Sequence, residues 1–465
     1  MERRLFGTSG IRGEVDKLLM PELITKVTLA YATLLDNCGL ILVGSDERLP
    51  SRSIRHAVIS GLLAGGMDVL DLGMVPTPAL LHVLKTLKAD GAVMITGSHT
   101  PPNITGVLFF INDTGELPPE LEVVIEDMIL KGKFKRVPWN AIGSLEEFDN
   151  AIEVYINNTL QYFNVNLSGE KIAIDCCNGP QSYVLPILVE LIGGVSIPIN
   201  DDIDPYHRQR DPYPRPDNLY ALSATVRRES ALFGMAVDGD GDRAIFCDEN
   251  GNVLWGDVIG TLFAEAELEE KGYGAIVCPI NTSRTIHYVK ERFNCEIIYT
   301  KVGPPSIIDA IRRRRHEVVF AFEETGKYIW PTNILYGDPA YALLRMIDLV
   351  KRKGTLSALI SRYPKYHLIK IAKPIKWETK NALVDRIRRI VERKFKDVRI
   401  ITIDGVKVVF DDGSWILFRP SGTEPVFRIY VEGTNKERAK GLIDIANRIF
   451  EEAYHAIGRD WFSAF

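Results

Sequence analysis

"LILVGSD", at residues 40–46, is a continuous apolar run that ends in polar residues. An uninterrupted run of this kind is typical of a β-strand that is covered on both faces of a parallel sheet. A helical pattern follows at 51–64, and then come "MDVLDLG" at 67–73 as a strand, a helix at 77–87 and "AVMITGS" at 92–98 as a third strand. The order β-α-β-α-β predicts an α/β domain with a mainly parallel sheet.

The same order of elements occurs twice more, although the residues differ between the copies. The later strands are "KIAIDCCNG" from Lys171, "VSIPIN" from Val195, "LFGMAVDGDGDR" from Leu232, "GAIVCPINTS" from Gly274, "CEIIYTKVG" from Cys295 and "EVVFAFEETGKY" from Glu317. Helical patterns separate them. The fold class predicted for most of the chain is therefore α/β, with three similar β-α-β-α-β domains.

The last hundred residues have a different pattern. A charged helix at about 378–394 is followed by four apolar strands, and the turn at 411–413 is typical of an antiparallel hairpin. A final amphipathic helix begins near Lys436. This pattern predicts a smaller C-terminal α+β domain, and the predicted domain limits are 1–146, 147–254, 255–366 and 367–465.

Composition and charge exclude several classes of protein. The chain has 465 residues, of which 46% are hydrophobic and 25% charged, and a formal net charge of −5, so we expect no nucleic-acid or anionic-membrane partner. The arginine run at 312–315 is interpreted as a helix end, where cations are favourable. The N-terminus has no signal-peptide pattern, and the six cysteines form no CxxC pair, so we expect a cytoplasmic protein with reduced thiols.

The third strand of each α/β copy ends in an unusual polar loop. These loops are "TGSHTPPN" at 96–103, "DGDGDR" at 238–243 and "EETGK" at 323–327. Because ligands bind outside the carboxyl ends of parallel strands, the loops are predicted to form three walls of one site.

The loop "DGDGDR" places Asp238, Asp240 and Asp242 at alternate positions. Three carboxylates this close repel one another unless a hard cation holds them, and oxygen ligands suit magnesium or calcium. An EF-hand is excluded because Arg243 stands at the sixth place, where that loop needs glycine. The sequence therefore predicts a divalent metal site.

A fourth loop, "RPSGTEP" at 419–425, combines a guanidinium, two hydroxyls and a glycine amide. Arginine's fork suits phosphate oxygens and glycine allows the backbone to approach closely, so the loop predicts phosphate binding. The residues alone leave "EETGK" open between a sugar-hydroxyl site and a surface turn. They leave "FGTSGIRG" at 6–13, which contains Arg12, equally open.

These loops occur together, with "PDNL" at 216–219, in an order that resembles the α-D-phosphohexomutases: phosphoglucomutase, phosphomannomutase and phosphoglucosamine mutase. The resemblance covers essentially the whole chain. It implies three similar α/β domains and a smaller fourth domain around a central cleft. It also implies an intramolecular phosphotransferase that moves a phosphoryl group between the 1- and 6-positions of a hexose or hexosamine phosphate, through a phosphoserine and a sugar bisphosphate.

The resemblance implies a role for each loop. The catalytic residues would be Ser98 as the phosphoryl carrier, His99, Arg12 and Lys327, and the Mg²⁺ ligands would be phosphorylated Ser98, Asp238, Asp240 and Asp242. The substrate-binding residues would be Arg243, Glu323, Thr325, Arg419, Ser421, Gly422 and Thr423. A sugar bisphosphate would be the activator and a small phosphosugar the binding partner. The sequence leaves the identity of the sugar and the oligomeric state open.

The chain departs from the family pattern at three positions. Thr105 and Leu108 stand where members carry asparagine and a candidate acid/base lysine, and Pro304 stands where members carry a polar residue. We expect Lys327 to replace the missing lysine, with His99 as the second candidate. Two alternatives stay open: a weakly active or non-catalytic sugar-phosphate-binding relative, and a mutase or phosphatase for another phosphosugar such as a pentose phosphate.

Overall fold

The computed structural model of the protein describes residues 5–422 and 425–462. Its first domain contains β1 (Ile11–Glu14), α1 (Pro21–Leu34), β2 (Leu40–Ser45), α2 (Leu49–Ala64), β3 (Asp68–Met74), α3 (Thr77–Leu87), β4 (Gly91–Ile95), β5 (Ile104–Ile111), α4 (Pro119–Lys131) and β6 (Leu145–Glu147). The strands form one sheet in the order β1-β5-β4-β2-β3-β6. The pairs β4–β2, β2–β3 and β3–β6 are parallel, whereas β5 is antiparallel to both β4 and β1.

The second and third domains repeat this plan. The second contains α5 (Ala151–Leu160), β7 (Lys171–Asp175), α6 (Leu185–Leu191), β8 (Val195–Ile199), α7 (Tyr220–Glu229), β9 (Phe233–Val237), β10 (Ala244–Cys247) and β11 (Val253–Leu254). The third contains α8 (Gly256–Lys271), β12 (Tyr273–Pro279), α9 (His287–Arg292), β13 (Asn294–Thr300), α10 (Pro304–Arg313), β14 (Val318–Phe322), β15 (Tyr328–Ile329), α11 (Pro339–Lys353) and α12 (Leu356–Ile360). Their sheets have the orders β11-β10-β9-β7-β8 and β13-β12-β14-β15.

The fourth domain is an antiparallel sheet packed against two helices. It contains β16 (His367–Pro374), α13 (Lys380–Lys394), β17 (Arg399–Ile401), β18 (Val406–Val409), β19 (Trp415–Pro420), β20 (Val426–Gly433) and α14 (Lys436–Phe462). The strand order is β16-β20-β19-β18-β17. Short 3₁₀ helices elsewhere span Trp139–Ala141, Pro180–Tyr183, Arg284–Ile286 and Trp377–Thr379. The predicted fold class is confirmed; the exact domain limits stay predictions.

Each α/β sheet also contains an antiparallel strand that the sequence analysis did not predict. Strands β5, β10 and β15 return directly beside β4, β9 and β14. The three polar loops are therefore connections within hairpins, held at both ends by paired strands. The apolar run of β5 shows no clean alternation of polar and apolar residues because both of its faces are buried.

The two faces of β5 belong to different cores. Val107 and Phe109 pack in the core of the first domain, whereas Leu108 and Phe110 belong to a larger core shared with the second and third domains. Alternate side chains of a strand point to opposite faces, so the position of Leu108 follows from that of its neighbours. The shared core holds three domains together behind the loops.

A buried carboxylate also joins these three domains. Asp338 Oδ2 lies 2.9 Å from His82 Nε2 and accepts a 2.6 Å hydrogen bond from the Asn333 amide, and its Oδ1 accepts a 2.6 Å hydrogen bond from the Tyr155 hydroxyl. His82 lies on α3, Tyr155 on α5 and Asp338 just before α11. Residues from three domains thus share one acceptor.

The arginine run at 312–315 is used in ion pairs. Arg312 Nε lies 2.6 Å from Asp113 Oδ2, which links the third domain to the first, and Arg314 pairs with Glu296 at 2.8 Å. The run therefore ends a helix, as expected, and its first arginine also contacts a domain interface. Within the described residues, every helix is too short or too polar to cross a lipid bilayer.

We predict that Asp338→Ala destabilises the protein by about 3–5 kcal/mol, because three buried polar partners lose their acceptor. Chemical denaturation measures the loss. The control is Asp217→Ala, since the Asp217 side chain is 72% exposed and pairs with Arg215 at the surface. The control should stay within about 0.5 kcal/mol of the unchanged protein. Equal stability of the two variants would show that the buried network contributes nothing.

Candidate active site

The polar loops that follow β4, β9 and β14 are in direct contact. Ser98 Oγ donates a 2.8 Å hydrogen bond to Asp238 Oδ2, and Lys327 Nζ lies 2.9 Å from Asp242 Oδ2. The serine loop, the acidic loop and the third-domain loop are thus brought together at the carboxyl ends of three sheets. This edge is where open α/β sheets bind ligands.

Ser98 is buried and has a left-handed backbone conformation, with φ at 49°. Its amide donates a 2.7 Å hydrogen bond to Thr96 Oγ1, and its carbonyl accepts a 2.7 Å hydrogen bond from Arg48 Nη2. A left-handed conformation costs a non-glycine residue roughly 1–2 kcal/mol, so the surrounding contacts must hold the loop in this shape. The result is a serine hydroxyl directed at the acidic loop.

His99 lies beside the serine hydroxyl, with Nδ1 3.3 Å from Ser98 Oγ. Its ring packs edge-on against Tyr213, with ring centroids 5.5 Å apart. Burial, together with the charges of Arg243 and Arg12, holds the pKa of His99 well below 6.5. The imidazole is therefore neutral at pH 7 and can accept a hydrogen bond.

The acidic loop buries all three of its aspartates. One oxygen from each of Asp238, Asp240 and Asp242 lies within 4.8 Å of the others. Burial and the repulsion of Asp242 raise the pKa of Asp238, and burial with both neighbours raises that of Asp240 well above its usual value. Gly239 permits this packing, since a Cβ there would lie 2.6 Å from the Ser98 carbonyl oxygen.

Two carboxylate oxygens of this loop lack a hydrogen-bond donor. Among residues 5–422 and 425–462, nothing donates to the buried Oδ1 atoms of Asp240 and Asp242. A buried, unsatisfied carboxylate oxygen is costly, and a divalent cation supplies the missing partner. The three aspartates and the serine oxygen beside them fit a Mg²⁺ ion.

Two cations flank the carboxylates. Arg243 Nε lies 3.6 Å from Asp238 Oδ2 and 3.7 Å from Asp242 Oδ1. Lys327 Nζ, besides its ion pair with Asp242, lies 3.9 Å from the centroid of the Tyr336 ring. A carboxylate and the face of an aromatic ring are both favourable neighbours for an ammonium group.

Arg12 and a glutamate that the sequence analysis missed complete this side of the site. Arg12 Nη1 lies 3.4 Å from the Gly97 carbonyl oxygen, and its buried Nε has no hydrogen-bond partner in the described part of the chain. Glu116 Oε1 accepts 2.8 Å hydrogen bonds from Ser9 and Tyr336, and burial raises its pKa. Glu116 had no signal in the sequence because "DTGEL" reads as an ordinary turn.

The third-domain loop presents Glu323 and Thr325. The amide of Glu323 donates to the Lys327 carbonyl at 2.9 Å, and burial raises the pKa of its carboxyl group. None of the described residues makes a hydrogen bond with the buried Thr325 Oγ1. Glu324 instead pairs with Lys370 on β16, which ties this loop to the fourth domain.

The fourth-domain loop reaches the N-terminal segment. Arg419 Nε lies 2.5 Å from Asp404 Oδ2, and the Ser421 amide donates to Val426 at 2.9 Å. Gly422 lies so near Thr8 that a Cβ on the glycine would be 2.7 Å from Thr8 Oγ1. Thr423 lies outside the described residues.

The three residues that depart from the family pattern have ordinary structural roles. Leu108 is fully buried in the shared core, and Thr105 Oγ1 is hydrogen-bonded to Ser51 Oγ at 2.8 Å. Pro304 is the first residue of α10, where proline is favourable. Position 108 therefore offers no proton-transfer group.

Four family models match the chain in succession. They describe the phosphoglucomutase/phosphomannomutase α/β/α domains I, II and III, at residues 3–136, 153–251 and 255–366, and the C-terminal domain of the same family, at 375–448. The chain belongs to the phosphoglucomutase/phosphomannomutase family, and it is an isomerase of the phosphosugar mutase class.

Curated relatives match over nearly the whole chain. A phosphoglucomutase/phosphomannomutase of Thermococcus kodakarensis is 34% identical over 97% of this chain and 99% of the relative. A phosphopentomutase of the same organism is 37% identical, with the same coverage. A phosphoglucosamine/phosphogalactosamine mutase of Sulfurisphaera tokodaii is 34% identical over 96% of this chain and 99% of the relative.

Solved structures share the fold. A phosphoglucomutase/phosphomannomutase family protein of Burkholderia thailandensis has a TM-score of 0.85 at 24% identity, with 97% of each chain covered. An Aspergillus fumigatus N-acetylphosphoglucosamine mutase in complex with GlcNAc-6P and magnesium has a TM-score of 0.59 at 16% identity, with 98% of this chain and 96% of that chain covered. A serine-to-alanine variant of the fungal enzyme has also been crystallised in complex with glucose 1,6-bisphosphate.

We predict that Asp240→Asn weakens Mg²⁺ binding by at least about tenfold, because one of three ligand charges is lost. The fold should survive, since asparagine keeps an acceptor for the 2.8 Å hydrogen bond from Thr77 and relieves repulsion. Calorimetric titration of metal-free protein with MgCl₂ measures the affinity. Asp248→Asn, in the turn between β10 and β11, is the matched control and should bind Mg²⁺ normally. Unchanged affinity in Asp240→Asn would remove this loop as the metal site.

Proposed function

We propose that the protein moves a phosphoryl group between two oxygens of a sugar monophosphate, with Ser98 as the carrier. The observation that carries this proposal is the 2.8 Å contact between Ser98 Oγ and Asp238 in a buried triad of carboxylates. Phosphoryl transfer depends on positioning and charge stabilisation more than on covalent chemistry. The site contains charged side chains and a serine held in a fixed position, which suit these two requirements. Hydrolysis would be a competing reaction, which a closed cleft suppresses.

In the first half-reaction, phosphorylated Ser98 gives its group to a hydroxyl of the bound sugar phosphate. The bond from phosphorus to Ser98 Oγ breaks, a bond from phosphorus to the sugar oxygen forms, and the proton of the sugar hydroxyl ends on the departing Ser98 oxygen. Asp238, Asp240 and Asp242 would hold Mg²⁺, which would supply positive charge beside that oxygen. In the second half-reaction the bisphosphate, turned end for end, returns its other phosphoryl group to Ser98.

The charged side chains have separate roles in this proposal. Arg12 and Arg243 neutralise the phosphoryl oxygens, supported by the unpartnered Nε of Arg12. Lys327 adds a third positive charge beside Asp242. His99, neutral and 3.3 Å from Ser98 Oγ, would accept the hydroxyl hydrogen in place of Asp238 when that carboxylate holds a metal ion.

The remaining loops would hold the sugar phosphate. Glu323 and the unpartnered Thr325 hydroxyl suit sugar hydroxyls. Arg419, Ser421, Gly422 and Thr423 would bind the phosphate that is not reacting. The approach of Gly422 to Thr8 supports a cleft that closes between the first and fourth domains.

We propose a hexose or hexosamine phosphate as substrate, with Mg²⁺ as cofactor and a sugar bisphosphate as activator. A pentose phosphate is the second candidate, because a phosphopentomutase matches at 37% identity. A panel of glucose, mannose, glucosamine and ribose phosphates, each with the matching bisphosphate, identifies the substrate. Release of free phosphate would indicate a phosphatase, and binding without turnover a non-catalytic relative. We further propose a cytoplasmic location, since all six cysteines, within the described residues, are free thiols.

We predict that incubation with sugar bisphosphate places phosphate on Ser98, because its hydroxyl is directed at the metal loop. Peptide mass spectrometry locates the group. Ser98→Ala should lose both the phosphate and turnover, whereas Ser182→Ala, whose hydroxyl bonds within its own turn, should keep both. Active protein that carries the phosphate on another residue would overturn the assignment.

We predict that Lys327→Met lowers kcat by about 10²-fold or more, because a buried charge beside the reacting group is lost. Lys327→Arg keeps the charge and should recover part of the rate. Steady-state kinetics with the identified substrate measure both variants, after a check that each binds Mg²⁺. An arginine variant as slow as the methionine variant would instead support a proton-carrying lysine, and a change confined to KM would make Lys327 a phosphate contact.

A further inference from the structure

The segment between β2 and α2 holds the serine loop through one guanidinium. Arg48 is fully buried, and its Nη1 donates to the carbonyls of Pro101 at 2.8 Å and Ile104 at 2.6 Å. Its Nη2 donates to the carbonyls of Ser98 and Thr100, both at 2.7 Å. Four carbonyls of the loop that presents the reactive hydroxyl therefore converge on a single side chain.

Asp46 holds the other side of the same loop. Its Oδ2 accepts a 2.9 Å hydrogen bond from the Gly97 amide and lies 3.3 Å from Arg48 Nε, and its Oδ1 accepts a 2.5 Å hydrogen bond from Ser51. Gly97 makes this arrangement possible, because a Cβ there would lie 2.1 Å from Arg48 Nη1. We call Asp46, Arg48 and the loop groups they bind the Arg48 clamp.

The Arg48 clamp explains how Ser98 keeps its left-handed conformation. Hydrogen bonds from a charged donor are stronger than those from a neutral donor, and four of them offset the cost of one positive φ. The guanidinium makes all four bonds at fixed angles, since it is planar. It thereby fixes both the direction of Ser98 Oγ and the shape of the loop.

We infer that Arg48 is a positioning residue for phosphoryl transfer: it holds the phosphorylated Ser98 in line with the sugar hydroxyl. The inference rests on the proposed role of Ser98 as the carrier. Arg48 acts through backbone carbonyls and does not itself touch the substrate. A displacement of about 1 Å costs about 10²-fold in rate, so a loosened loop should favour loss of the phosphoryl group to water over transfer to sugar.

The test is Arg48→Lys, which keeps the charge but replaces the planar fork by one nitrogen. We expect Ser98 still to accept phosphate from the sugar bisphosphate, kcat to fall about 10²-fold and KM to change less than about threefold. The ratio of inorganic phosphate released to sugar converted should rise. The matched control is Arg345→Lys, a buried arginine on α11 that pairs with Glu267 and Glu270 on α8, which should leave that ratio unchanged.

A second variant disturbs the Arg48 clamp by a change in the serine loop instead of a change in Arg48. Gly97 has no positive φ, but a Cβ there would lie 2.1 Å from Arg48 Nη1 and 2.3 Å from the Ile104 carbonyl oxygen, so Gly97→Ala displaces both Arg48 and a carbonyl that it binds. It should raise the phosphate-release ratio in the same direction, even if Arg48→Lys folds poorly.

The outcomes distinguish a failure of the proposed function from a failure of the Arg48 clamp alone. Absence of phosphate on Ser98 in the unchanged protein would overturn the proposed function and the clamp with it. Phosphate on Ser98, with kcat and the release ratio unaltered in folded Arg48→Lys or in Gly97→Ala, would overturn the clamp alone.

Discussion

Three carboxylates buried within 4.8 Å of one another are the constraint around which the active site is built. The repulsion between these carboxylates is reduced by positively charged side chains, and those side chains come from separate domains. Arg243 follows the acidic loop itself, and Lys327 comes from the third domain. Ser98, from the first domain, donates its hydroxyl to the same cluster. The acidic loop therefore contacts Ser98 and Lys327, two residues that lie more than two hundred positions apart in the sequence.

The fold meets this need by placing each loop inside a hairpin. Strands β4, β9 and β14 each run parallel to one neighbour in their own sheet, and an antiparallel strand then returns on the other side of each. A connection paired at both ends has little freedom, so its backbone can hold strained positions such as Ser98. The parallel strands decide where the loops lie, and the returning strands limit how far they move.

The sequence predicted the parallel strands and the residues of the acidic loop because both patterns are local. It missed strand β5, whose two buried faces hide the alternation of polar and apolar residues. It also missed Glu116 and Arg48. Each of these two residues contacts residues that are distant in the sequence. Each also lies in a stretch that resembles a common turn or the start of a helix. Residues of this kind carry no periodicity or motif that a single sequence reveals.

Leu108 is buried, and its side chain has no group that can transfer a proton. Any proton transfer must therefore involve other residues of the site. Strand β5 pairs Leu108 with Met94 on β4, and both belong to the core shared by three domains. The polar groups nearest the serine are instead on the loops. The neutral imidazole of His99 lies 3.3 Å from the serine hydroxyl, and Lys327 Nζ lies 2.9 Å from Asp242. In the proposed mechanism, His99 would accept a hydrogen and Lys327 would offset charge. Two loops would then share the tasks that a single lysine on a strand could combine.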